Sequence, residues 1–144
     1  MFENLLRRLM MPNPDRLPDP DAQCALAALL VRVARADGAY VTLEKTTIDQ
    51  ALAAHFGLAP FAAAALRAQG EVLETQAPDT VRFTRALKLA VGLDDRIGVM
   101  QALWVTALAD GARDDEEDRL LRLVANLLGL TDVQSALARQ KAEK

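Results

Sequence analysis

The sequence predicts an all-α fold: a single-domain bundle of about seven helices built from two helix-(Asp-Gly turn)-helix repeats. Three observations predict it. Apolar residues recur every three or four positions along most of the chain, and no segment alternates with period two. Gly and Pro interrupt these runs where helices would end. Finally, Ala-Asp-Gly followed after five residues by Glu is written twice, as Ala36-Asp37-Gly38 with Glu44 and as Ala109-Asp110-Gly111 with Glu117.

Composition agrees. A chain of 144 residues suits one domain, and 51% hydrophobic residues can form a core without staples. Aromatics are only 4%, and Ala and Leu dominate. Cys24 is the one cysteine, so an internal disulfide is excluded and a reducing compartment is expected. A net charge of −3 argues against nucleic acid as a partner. No apolar run approaches the roughly 20 residues that span a bilayer. The start, MFENLLRRLMMPNP, is broken by charge and lacks a small-residue cleavage site, so the expected location is the cytoplasm.

The elements follow in order. Residues 1–20 form a separate segment: Phe2, Leu5, Leu6 and Leu9 stand at helical spacing beside Arg7 and Arg8, and the prolines at 12, 14, 18 and 20 then exclude a helix. The body spans 21–144. Its first helix runs from an Asp21 cap to Asp37, with Leu26, Leu29, Leu30, Val33 and Ala34 inward and Gly38 as its stop. Thr42 caps the second, with Ile48, Ala51, Leu52 and Phe56 inward and Gly57 at its end. Pro60 opens the third, which carries Phe61, Ala65, Leu66, Val72 and Leu73. The fourth holds Phe83, Leu87, Ala90 and Val91 and closes at Gly92. Asp94 or Asp95 opens the fifth, with Ile97, Met100, Leu103, Trp104, Ala107 and Leu108 inward and Gly111 as its stop. Asp114 or Asp115 opens the sixth, with Leu120, Leu121, Val124, Leu127 and Leu128 inward, and Gly129 ends it. Thr131 or Asp132 caps the seventh.

Placing Asp37 on Asp110 also aligns Ala34 with Ala107 and Glu44 with Glu117, and brings Gly57-Leu58 within one residue of Gly129-Leu130. One such unit cannot bury its apolar face alone, so the two are expected to pack together. The turns are not EF-hands. The first two ligand positions would fall on Val33 and Arg35, or on Thr106 and Leu108, inside the preceding helix. Capping explains part of the motif: Gly suits a helix end, and a first-turn Glu gains roughly 0.3–1 kcal/mol from the helix dipole. It does not absorb Asp114, Asp115, Glu116, Glu117 and Asp118, five consecutive acids after Asp110. A solvated face, a divalent cation held by hard oxygen ligands, or a basic partner would each account for them.

Two helix-turn-helix units bearing Ala-Asp-Gly and a following Glu, over about Asp21 to Leu130, resemble the TerB-like tellurite-resistance family. Its fold superfamily includes the N-terminal domain of the DjlA co-chaperone. The resemblance implies a helical bundle, metal binding in the acidic turns, and a role in stress responses or membrane-associated complexes. It carries over to Asp37, Gly38 and Glu44, and to Asp110, Gly111 and Glu117. Val41 departs from the pattern, since its counterpart is Asp114, and the first turn is therefore poorer in oxygen. There is no His-Pro-Asp tripeptide, so no J-domain is expected.

Other chemistry is sparse. His55, the one histidine, reads as structural, and Cys24 and Trp104 read as core. Three functional readings follow. The first is a non-enzymatic module that binds calcium or magnesium weakly, through Asp110, Asp114 and Glu117 with Asp37 and Glu44, or binds a basic protein through Asp115, Glu116 and Asp118. The second is a metal-dependent hydrolase using Asp37, Glu44, Asp110 and Glu117. The third is a membrane-surface adaptor that docks through Phe2, Leu5, Leu6 and Leu9.

Overall fold

The Asp21 carboxylate accepts the Cys24 backbone N–H at 2.8 Å and so starts helix α1, Ala22–Arg35. The computed structural model describes residues 21–36, 40–76, 80–109 and 115–143. The N-terminal segment 1–20, Asp37, Gly38, Asp110, Gly111 and Asp114 lie outside the described residues. Within them the chain forms seven helices and no strand. After α1 come α2 (Thr42–Phe56), α3 (Pro60–Gln76), α4 (Val81–Ala90), α5 (Leu93–Ala107), α6 (Asp115–Leu127) and α7 (Asp132–Glu143).

Helix α1 is the axis of the bundle. Ala25 to Val31, Val33 and Ala34 are all fully buried, far more than the one stripe expected from the sequence. It touches α2, α3, α4, α5 and α6, and a helix apolar on every side is stable only when surrounded in this way. Leu26, Leu29 and Leu30 each gain roughly 1.5–3 kcal/mol from that burial. Helix α5 packs on α7 and α2, and α6 on α4 and α7, which closes the second half around Val99, Met100, Leu103, Leu121 and Leu128.

The helix ends follow local rules with some corrections. Gly57 and Gly129 take left-handed conformations, φ 65° and 78°. In both, the following leucine N–H reaches back five residues, Leu58 to the Ala53 carbonyl and Leu130 to that of Ala125. Thr131 and Gln134 form a complete capping box ahead of α7, with bonds of 3.1 and 2.8 Å. Val41, not Thr42, precedes α2, and Gly92, not Asp94 or Asp95, precedes α5. Gly92 is not a left-handed stop for α4: Val91 and Gly92 are both extended, and a two-residue break suffices there.

The main correction concerns α3. Phe61, Ala65 and Val72 face outward, and the buried residues are Ala63, Leu66 and Gly70. This Ala-rich helix has apolar residues on more than one side, and the side without a bulky group, at Gly70, is the one that can approach α1. Ala90 is exposed as well. Cys24 is only half-buried, at the rim of α1 rather than in the core.

Candidate functional site

The two glutamates of the repeated motif occupy the same position in their helices. Glu44 is the third residue of α2 and Glu117 the third of α6. Both are turned inward, at 2% and 3% exposure. Glu44 Oε1 accepts the Val41 backbone N–H at 3.3 Å. Val41 has no side-chain oxygen to return the favour, so only the acidic half of a capping box forms. A carboxylate in a first helical turn is favoured by the helix dipole, which offsets part of its desolvation. Around Glu117 the other acids stay nearer water: Asp115 and Glu116 are exposed, Asp118 half-buried, and Glu116 meets Arg119 at 3.5 Å. Among the described residues, no three His, Cys, Asp or Glu side chains lie together as a metal site would require. Asp37, Asp110 and Asp114, the remaining oxygen donors of the motif, lie outside the described residues.

A charged network that the sequence reading missed flanks the first turn. The Tyr40 ring meets two cations, the Arg35 guanidinium at 5.0 Å and Lys45 Nζ at 4.9 Å. Glu74 receives Arg35 at 2.7 Å and Arg32 at 3.5 Å, tying α1 to α3. Arg67 joins Asp49 at 2.6 Å to Glu71 at 3.3 Å, tying α2 to α3. Burial opposes the charge of Arg67, but the Asp49 hydrogen bond, with Tyr40 and Glu71, outweighs it and raises its pKa. The Tyr40 hydroxyl faces this pair without closing a hydrogen bond to either member. Burial first, then Glu71, pushes its pKa up to about 12, with Arg67 opposing. The available signal was the spacing: Arg32 and Arg35 one turn apart in an apolar helix, and Arg67 four residues before Glu71.

In the second half, Asp118 and Arg122 of α6 face Asp132 and Arg139 of α7 across a groove of about 320 Å³ floored by Trp104. Trp104 Nε1 donates to Ser135 Oγ at 3.3 Å, and the Arg139 guanidinium stands 5.7 Å over the ring. Trp104 is core, at 7% exposure. His55 packs edge-on against Phe56 at 5.0 Å and lines a shallow groove between α2 and α5. The Cys24 thiol lies 3.4 Å from Gln69 Oε1, and burial, then Asp21, raises its pKa, which keeps it protonated. Among the described residues no single helix is long and apolar enough to cross a membrane.

A family model described as tellurite resistance protein TerB matches residues 23–140. No curated protein and no solved structure matches the chain.

Proposed function

The chain belongs to the tellurite resistance protein TerB family, and from that membership we propose that it is a non-enzymatic module in a tellurite or stress response that binds a divalent cation at its acidic turns. The observation that carries the reading is the burial of Glu44 and Glu117, each the third residue of a helix that follows an Asp-Gly segment. Desolvating a carboxylate costs free energy that a hard cation offsets. The donors at hand are all carboxylate oxygens, which fit calcium or magnesium rather than a soft metal. Glu44 and Glu117 would be the inner anchors, with Asp37, Asp110 and Asp114 completing the donor set. Affinity is weak in this reading, because each short turn supplies few oxygens and water fills the shell.

A second reading rests on a different observation. Asp115 and Glu116 are exposed, where they can meet a large basic partner that cannot reach Glu117. The two readings separate by experiment. Calcium or magnesium at millimolar levels raises the melting temperature, because a ligand that binds only the folded chain stabilises it. Asp110→Asn with Glu117→Gln abolishes that rise, and Asp115→Asn with Glu116→Gln leaves it intact. No shift and no heat on titration sinks the cation reading. A basic peptide released by the second pair of substitutions would then identify the surface as a protein-binding one. Tellurite survival of cells carrying the Asp110→Asn, Glu117→Gln chain in place of the natural one tests the physiological part.

A further inference from the structure

Helix α3 carries a second apolar stripe that no other described residue covers. Phe61 at 88% exposure, Ala65, Ala68 and Val72 at 56% stand four, three and four residues apart, on one helix face. The opposite face already packs through Ala63, Leu66 and Gly70. Near Val72 the stripe opens into a groove of about 420 Å³, lined by Asp21, Cys24, Gln69, Val72, Leu73 and Gln76. An exposed apolar stripe running into a groove is the surface that receives an amphipathic helix.

The chain ahead of Asp21 supplies an occupant that fits. Phe2, Leu5, Leu6 and Leu9 recur at the intervals of one helix face. Residues 2–10 as a helix would span about 13 Å, against about 16 Å along α3 from Phe61 to Val72. The tether ends at Asp21, itself a wall of the groove. Its ten Pro-rich residues, 11–20, reach about 31 Å when extended, enough for any point on the stripe. A short covalent tether holds the segment at an effective concentration of order millimolar, so even weak docking is occupied. We infer that residues 2–10 dock as a helix in this groove and along the outer face of α3, with Phe2, Leu5, Leu6 and Leu9 against Leu73, Val72 and Phe61.

Cys24, the chain's one thiol, lines the groove and reports on its occupancy. In the full chain, alkylation by N-ethylmaleimide is several-fold slower than in the Leu5→Glu, Leu9→Glu variant. Phe61→Glu, at the far end of the stripe, also speeds the reaction, and joining all three substitutions adds little more. All sites are at the surface or ahead of the body, and unchanged circular dichroism verifies the fold. Equal rates in the natural chain and the variants overturn the inference. Protection that disappears on dilution assigns the stripe to a second copy of the chain and overturns it too. If Leu5→Glu, Leu9→Glu leaves the Cys24 rate unchanged but abolishes sedimentation with phosphatidylglycerol vesicles, the segment serves a membrane surface and the inference fails.

Discussion

Gly70 of α3 lies so close to Ala27 of α1 that a Cβ built on it would stand 2.6 Å from the Ala27 Cβ and 2.7 Å from its carbonyl carbon. Backbone atoms cannot swing aside as a flexible side chain can. Gly70→Ala gains about 1 kcal/mol of helix propensity but forces α1 and α3 apart, at a cost of roughly 1–3 kcal/mol or more for overpacking. Two opposed terms of this size leave a net loss, because the clash is with backbone. The expected result is a lower melting temperature for Gly70→Ala. A rise would show that the two helices are not in such close contact.

Gly57 offers a cleaner backbone test. Its φ is +65°, and a Cβ there would meet nothing within 4 Å. Gly57→Ala therefore isolates the left-handed strain, and a loss of about 1–2 kcal/mol is expected in denaturant unfolding. Gly92, at φ −74° and equally open, is the control: alanine there should be close to neutral.

Glu44 and Glu116 are both first-turn acids and should behave differently. Glu44 is buried and accepts the Val41 N–H, so Glu44→Ala should cost roughly 1–2 kcal/mol. The Glu116 side chain is 68% exposed in its pair with Arg119, so Glu116→Ala should stay within about 0.5 kcal/mol. Equal effects in chemical denaturation would remove the distinction between an anchored acid and a solvated one.

Tyr40 is the one tyrosine, so its ionisation can be followed by phenolate absorbance alone. Burial pushes its pKa from 10 up to about 12 in the folded chain. The folded state thus holds the proton more tightly than the unfolded state. Its contribution to stability is complete below pH 10 and is lost as pH rises toward 12. A phenolate midpoint near 10 in the folded protein would contradict the placement of the hydroxyl against Arg67 and Glu71.

Much of the fold was legible because helix formation is local. Asp21 as a cap, Thr131 as one of two candidate caps, and the Gly57-Leu58 and Gly129-Leu130 stops all act within five or six residues. Period and punctuation therefore placed seven helices within a few residues of their observed ends. Of the candidate site, Glu44 and Glu117 were legible as first-turn acids by spacing alone, while their near-complete burial was not. The same holds for Arg67, whose partners Asp49 and Glu71 come from two helices.

By itself, then, the sequence determined where the helices begin and end and which acids stand at their first turns. Tertiary structure alone decided which face α3 turns inward. In α3 both candidate faces are apolar, and hydrophobic burial, being non-directional, does not choose between Phe61-Val72 and Leu66-Gly70. Shape chooses: only the face bearing Gly70 lets α1 approach to contact. The buried middle of α1, Ala25 to Val31, shows the same principle from the other side, because its surroundings, α2 to α6, are set by how the remaining helices close around it.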